Sequence, residues 1–511
     1  MTGSAALASK RLIRAIAADQ LHAEQFSKTP EARTGAPLAR AHEAVRPSRS
    51  RRLFGDEGSG NRIVSSDAKS LRDQARALER DYDVAANALN ILVQNTVGSG
   101  IDVMPAPRKA GGQVNRDLAQ QLRDLWDEWW DRPEVTGIHD FGKCQQLMAR
   151  SAFRDGEAFF QHVRGMMSSL DHLTIVPYSL EMLEADLVPL HADDASSNLS
   201  QGVYRNAWGR ITGYQVYKSH PGDMIGIREE TKFVPADRLQ SVACINRIGQ
   251  VRGLSIFAPV MNRFRDIQDY ENSERIAAKV AASFCAQIIK DTSLLQTPSL
   301  GGLDAAVDRT IRSFNMVPGL IGDELLPGER IEVIDSKRPN PNIETYLNSQ
   351  MRRAAGGLGT SFSSLSMNYN GTYSAQRQEL VEKFGYYAML GEWFVAKFVR
   401  PVWEEFVIAA VQRGLVRIPA GWTIRNIQAA HFVRPAMPWI DPLKEILARQ
   451  QAVEAGWLAP QQAILQSGND PEEVLRLRED WKAQAGDPPP TQPNTEGRAA
   501  FVALASGDPN A

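Results

Sequence analysis

Cysteine is scarce in this chain. Its 511 residues include three, Cys144, Cys244 and Cys285, far apart and with no CxxC pair. The eight histidines show no HExxH or related spacing. These gaps argue against a disulfide framework and a structural zinc site, and fit a reducing compartment such as a bacterial cytoplasm. No apolar run reaches the roughly 18 residues of a membrane-spanning helix. The stretch from Lys10 to Asp19 starts as a signal peptide does, but no adequate apolar run follows its charges, so it reads as a short amphipathic helix. An excess of one charge is also lacking. Formal net charge is -2, whereas a conventional DNA-binding domain is clearly basic. Tight phosphate binding over the whole surface is not expected, although a basic face is compatible with a neutral total.

What is present is ordinary for a soluble globular protein: 43% hydrophobic and 23% charged residues. The length is too great for one compact core and predicts roughly two to four domains. Residues 1–64 are rich in Ala, Arg, Ser and Gly, with a basic cluster at Arg46, Arg49, Arg51 and Arg52, and read as a flexible arm or one wrapped on a neighbour. Order is expected from near Ser65. Apolar spacing predicts one helix over 68–97, ended by Gly98-Ser99-Gly100, then a short strand over 101–104 and helices over 115–130 and 141–154. From Glu157 to Ile245 the pattern changes to short strands, at 158–163, 173–176, 211–217 and 239–245, with turns at Trp208-Gly209-Arg210 and His220-Pro221-Gly222-Asp223.

Helix then returns over 256–289, followed by a turn-rich stretch over 291–338 with a strand at 331–334 and a helix over 343–355 that Gly356, Gly357 and Gly359 end. A polar loop over 360–373 precedes the longest helical segment, 374–413, about 60 Å at 1.5 Å per residue. Pro401 lies inside it and is expected to kink it without ending it, because Phe394, Phe398, Val402 and Phe406 continue one apolar face. Two or three short helices follow over 442–483, and the proline-rich end reads as disordered.

No catalytic constellation emerges. Gly137 to Lys143 fits the phosphate-loop pattern, but Cys144 stands where a magnesium-binding hydroxyl belongs, and Trp129 to Pro133 precede it instead of a buried parallel strand. A loop and helix start is the better reading, and Lys143 is not expected to bind nucleotide. Gly98-Ser99-Gly100 lacks the third glycine of a dinucleotide fingerprint. Asp155 and Glu157 have no partner acid, histidine or metal spacing and read as a solvated turn. Cys285, and the cluster Trp126, Trp129 and Trp130, fall at helical spacing and read as core. No cofactor, no metal and no enzymatic activity are expected.

Five segments stand out in order: Arg80 to Asn87 with Val97-Gly98-Ser99-Gly100-Ile101; Asp155-Gly156-Glu157-Ala158-Phe159; Gly202 to Tyr214; Val234-Pro235-Ala236-Asp237-Arg238 with Arg247 to Ser255; and Ser361 to Arg377. Together they resemble the lambda-type phage portal family. The fourth is the most specific, though the family's histidine is absent near Ser241 and Val242. In the fifth, Asn368 stands in place of an aspartate and Gly371 to Ala375 departs mildly from the family's pattern.

The resemblance implies an α+β subunit of a closed, usually twelve-membered ring at the capsid vertex. Its parts would be a mixed α/β wing over 65–255, stem helices over 256–290 and 341–358 around an α/β clip over 291–340, a tunnel loop over 359–373, a long kinked helix returning to the wing over 374–440, a helical crown over 441–483 and a tail over 484–511. It implies passage of double-stranded DNA without sequence preference. Its partners would be the terminase large subunit, the major capsid protein or scaffold, and a head-tail connector, with no membrane; its place is the virion, after assembly in the host cytoplasm. The residues it would set toward the channel are Ser363, Ser364, Ser366, Asn368, Tyr369, Asn370 and Thr372, uncharged and suited to sliding; Arg352, Arg353 and Arg377 flank them, for subunit pairing or DNA steering. A surface loop on the wing is the alternative for this stretch. Two other readings of the whole chain stand beside this one. A head-tail connector is usually much smaller, and a nucleotide-dependent enzyme on 137–144 would need a second acidic motif at a strand end, which is absent.

Overall fold

The computed structural model describes residues 58–485 except 167, 169, 224–229, 284–286, 291–328, 333–341, 437–441 and 470. Residues 1–57 of the arm, nearly all of the clip, Cys285 and the tail beyond Ala485 therefore lie outside the described residues.

The chain opens with helices α1 (Gly60–Asp81) and α2 (Asp83–Thr96). The Ser59 side chain caps α1 at the Arg62 N–H, so order starts earlier than the apolar spacing suggests. The expected single helix is broken at Tyr82, whose backbone is extended (φ -133°, ψ 113°) and whose ring is buried edge-on against Phe264. A core anchor there wins over helical continuity, which periodicity alone does not reveal. Strand β1 (Asp102–Pro105), α3 (Arg116–Trp130) and α4 (Phe141–Asp155) follow as read from sequence. Trp126 and Trp129 are fully buried, stacked on each other at 4.9 Å and closed over by Phe141, Trp403 and Phe406. They are core.

Gly156, at φ 92°, turns α4 into the β region. Strands β2 (Glu157–Arg164) and β3 (Tyr178–Glu184) form an antiparallel hairpin, and β8 (Leu239–Ala243) pairs with the other edge of β2. A second sheet joins β4 (Leu199–Ser200), β5 (Val203–Arg205), β6 (Ile211–Tyr217) and β7 (Thr231–Pro235), all antiparallel. It packs on the start of β2 through Phe159, Val203, Tyr214 and Val216. The expected strand over 173–176 is not formed. Register pairs Arg164 with Tyr178, and Leu173 sits in left-handed backbone at φ 59°, so 173–176 belong to the hairpin loop.

Helix α5 (Met261–Ser283) begins later than expected, past Pro259, and ends earlier; Ile288 and Ile289 lie in strand β9 (Gln287–Lys290), paired antiparallel with β10 (Glu329–Glu332). Helix α6 (Ile343–Leu358) runs through Gly356 and Gly357 and stops at Gly359, φ 75°. A side chain at Gly357 would meet Val260, so Gly357 lets α6 approach the start of α5, whereas Gly356 has open space around it, and Gly359 alone does the stopping. Arg263 hydrogen-bonds Gln350, and the Tyr270 and Tyr346 rings lie 4.7 Å apart, so α5 and α6 pack antiparallel.

The stretch expected to be a plain loop holds a short helix, α7 (Phe362–Ser366), because Ser361 caps it and Leu365 is buried beneath it. Helix α8 (Tyr373–Phe394) passes through a π turn at 395–399 into α9 (Arg400–Gln412) without an extended break. Pro401 thus does not end the helix. The Arg400 N–H bonds the Val395 carbonyl five residues back, a widened turn next to the ring that cannot donate. Phe394, Phe398, Val402 and Phe406 are all fully buried along one side. After α10 (Ile424–Ile427), strand β11 (Ala430–Val433) pairs with β1, and α11 (Pro442–Glu454), α12 (Pro460–Gln466) and α13 (Pro471–Ala485) close the described chain.

Candidate DNA-facing loop and a buried charged hub

The loop expected to face a channel is half anchored and half exposed. Gly359 leads into it, and a Cβ there would lie 2.5 Å from the Tyr386 ring. In α7, the Ser361 hydroxyl accepts from the Ser364 N–H at 3.0 Å, and the Ser366 hydroxyl donates to the Phe362 carbonyl at 2.8 Å. Glu379, from α8, accepts from the Phe362 N–H and from the Ser363 hydroxyl, both at 2.6 Å. At the other end of α7, the Asn87 amide donates to the carbonyls of Ser364 and Leu365, each at 3.2 Å. Ser363, Ser364 and Ser366 therefore hold the loop's base. Sequence spacing gave no sign of Glu379 or Asn87 in this role, since they lie 16 and 277 residues from their partners.

The exposed part is the tip. Met367, at φ 52°, ends α7, and Tyr369, Asn370 and Thr372 follow with open side chains. Asn368, half-buried, accepts from the Asn370 N–H at 3.1 Å, Gln376 donates to the Tyr369 carbonyl, and Thr372 caps α8 at the Ala375 N–H. The tip is thus shaped by its own polar contacts, with no charge in it. Of the flanking arginines, Arg352 lies over the Phe362 ring at 4.7 Å, while Arg353 and Arg377 are exposed. The structure brings these residues to one end of the α6–α8 region.

A second cluster contradicts the reading of Asp155 and Glu157 as a solvated turn. Both are buried. Glu157 receives Arg252 through Nε at 2.8 Å to each carboxylate oxygen, Arg72 at 3.4 Å, and the Gly253 N–H at 3.1 Å. Asp155 takes Arg76 at 2.8 Å and Arg154 at 2.7 Å. Asp186 joins through Arg76 at 2.6 Å and Arg72 at 3.0 Å. Burial works against its ionisation, but Arg72 and Arg76 outweigh that and hold its carboxyl below the usual range. Arg252 also donates to the carbonyls of Gln201 and Val188, at 2.7 and 3.1 Å. Glu184, Asp186 and His220 are the one group among the described residues close enough to share a metal, and the Arg76 guanidinium already sits against both carboxylates.

The phosphate-loop mimic has no nucleotide geometry. Asp140 caps α4 at the Lys143 N–H, at 2.6 Å, placing a carboxylate where a phosphate would sit. Cys144 is buried, and burial pushes its thiol up, away from metal-binding thiolate. No described helix is long and apolar enough to cross a membrane.

The profile described as phage portal protein, lambda family, matches residues 46–390. The chain is 24% identical over 428 residues to the "Probable portal protein" of Halomonas phage phiHAP-1, covering 82% of this chain and 80% of that protein. It is 24% identical over 455 residues to "Portal protein B" of Escherichia phage lambda, covering 81% and 84%. Among solved structures, it is similar to a chain from the neck of a native gene transfer agent particle computed with C12 symmetry: TM-score 0.41, 12% identity, 80% of this chain and 94% of that one. The family profile runs through all five segments that resemble portal motifs, and four of them pair in space, Asn87 with Ser364 and Glu157 with Arg252: this chain belongs to the lambda family of phage portal proteins.

Proposed function

We propose that copies of this chain close into a ring of twelve at one vertex of a phage capsid, that double-stranded DNA passes through the ring during packaging and ejection, and that the tip over 367–372 faces the DNA. The observation that carries this is the antiparallel pair α5 and α6. It leads out to the paired strands β9 and β10 and back to the loop, which is the arrangement a stem, a clip and a tunnel loop require. In this reading 65–255 is the wing, 441–483 the crown, and the ring is the platform for a terminase large subunit, for the major capsid protein or scaffold, and later for a head-tail connector. The chain assembles in the host cytoplasm and ends in the virion.

An uncharged tip suits the task. Each fixed lysine or arginine contact with phosphate releases counterions and adds a salt-dependent grip. Asn368, Tyr369, Asn370 and Thr372 offer short-lived hydrogen bonds, and Arg353 and Arg377 pair across subunits. The chain itself catalyses nothing; its work is to form the passage. Negative-stain electron microscopy and light scattering of purified protein test the proposal. Closed rings with an axial hole are expected. A stable monomer at every salt concentration overturns it.

A further inference from the structure

Two exposed faces of the subunit, carried by different elements, are complementary. The first lies at the loop of the β2–β3 hairpin. Leu173 and Ile175 are exposed there, 42% and 56%, beside Ile138 at 74%. Leu173 packs on Gly137, where an added Cβ would sit 2.5 Å from its Cδ1, and the Ile175 N–H reaches Glu128 at 3.4 Å. The exposed formal charge over 128–140 is Glu128, Asp131 and Asp140 against Arg132, and Asp171 adds another carboxylate.

Leu173 is held in strained left-handed backbone, φ 59°. The Asp171 carboxylate accepts from its N–H at 3.2 Å. The buried His172 ring is tied on both nitrogens, to Ser179 at 2.9 Å and to the Gly165 carbonyl at 2.8 Å. Strain of this kind persists where the surroundings over-determine it, and it clusters where a side chain is presented to a ligand. Here it presents an apolar side chain to solvent.

The second face is the outer side of the small sheet. Phe233, 58% exposed, lies over Gly213 with its ring 5.2 Å from that of Tyr204. At the β5–β6 turn Trp208 is 87% exposed. From Leu199 to Tyr217 the charged residues are Arg205 and Arg210, with no carboxylate. This face is aromatic and basic; the first is aliphatic and acidic. The small sheet packs on β2 at Phe159, and the first face lies past the strand's far end at Arg164, about 17 Å further along at 3.3 Å per residue.

We infer that the aromatic, basic face of the small sheet docks on the aliphatic, acidic hairpin face of a second copy of this chain. Two different patches mating head to tail give a heterologous contact, the kind that generates rings. Opposite rims fix register and disfavour like-with-like pairing. The inference rests on the ring reading above.

Charge exchange tests it. The wild-type chain is compared with Arg205→Glu plus Arg210→Glu, with Glu128→Lys plus Asp131→Lys, and with all four changes together. Assembly is read by light scattering and negative stain, and folding by circular dichroism melts. Each pair is expected to raise the concentration needed for assembly by at least about tenfold, and the four-fold variant to recover most of that loss. Absence of rings in the wild type would fail the ring reading itself. Wild-type rings with unaltered assembly of both pairs overturn the docking inference alone. So does a folded four-fold variant that stays as unassembled as either pair. Loss of DNA binding by the arginine pair with assembly unchanged assigns the small sheet to nucleic acid and overturns it as well.

Discussion

Arg252 and Glu157 lie 95 residues apart and are joined inside the subunit by a guanidinium Nε 2.8 Å from both carboxylate oxygens, with both side chains essentially without solvent contact. Removing one partner leaves the other charged in a dry site, which costs about 3–5 kcal/mol. Arg252→Ala is therefore expected to lose stability on that scale in urea unfolding, and Arg252→Lys to lose part of it, because an ammonium cannot reproduce the fork. A change below about 1 kcal/mol for Arg252→Ala would contradict the role assigned to the pair.

Stability should fall on mild acidification. His162 is buried with its Nδ1 2.8 Å from the Tyr178 hydroxyl; burial, helped by Arg164, lowers its pKa from 6.5 to about 3. Below pH 6.5 the unfolded chain takes up a proton that the folded ring refuses, so folding loses up to about 1.4 kcal/mol per pH unit until the ring itself titrates near 3. Asp186 acts lower down: its stabilisation is complete above its unfolded value of 3.8 and is lost as pH falls through its depressed folded value. His162→Gln should flatten the upper window by one proton, measured as urea midpoints from pH 7 to 4.

Pro401→Ala separates an accommodated proline from a strained one. An interior proline costs about 3 kcal/mol in a regular helix. The π turn before Pro401 already widens the backbone, so the alanine variant should gain under about 1 kcal/mol in thermal unfolding. A gain near the full cost would show that the widened turn relieves nothing.

Asp140→Ala should cost about 1 kcal/mol of stability through the lost helix cap, whereas Lys143→Ala should be neutral and leave ATP binding, by titration calorimetry, at background. Abolition of a measurable ATP affinity by Lys143→Ala would restore the phosphate-loop reading.

Deleting Met367 to Gly371 removes the exposed tip and keeps the base held by Glu379 and Asn87. Rings should persist while DNA packaging or retention drops. Normal packaging by such a deletion would remove the tip from the mechanism.

Much of the architecture was legible in the sequence because it rests on local signals. The helices over 115–130 and 141–154, the strand at 211–217 and the continuity through Pro401 follow from periodicity and caps, and the aromatic core from helical spacing of the tryptophans. What stayed hidden depends on distant partners. Tyr82 breaks a helix because Phe264 lies against it. At Gly357 a Cβ would collide with Val260, just before α5, so a glycine there marks a close approach and not a helix end. Asp155 and Glu157 looked solvated since, apart from the neighbouring Arg154, their arginines come from α1 and from the loop before α5. At the candidate site, the open residues Tyr369, Asn370 and Thr372 were readable as a polar loop, but the work of the serines as its anchor was not, because Glu379 and Asn87 arrive from other helices.

The turn that places Glu157 also backs directly onto the loop that carries Arg252. Gly156 is in left-handed backbone at φ 92°, and a Cβ on it would lie 2.4 Å from the Leu254 carbonyl carbon; a Cβ on Gly253 would lie 1.9 Å from the Gly156 carbonyl oxygen. Each glycine is blocked by main chain, which no side-chain replacement can move aside. In a suppressor screen, damage at either position should therefore find no second-site rescue at the other. The two glycines form a pair of genetic dead ends beside the buried Arg252–Glu157 pair, and revertants of either should be true revertants.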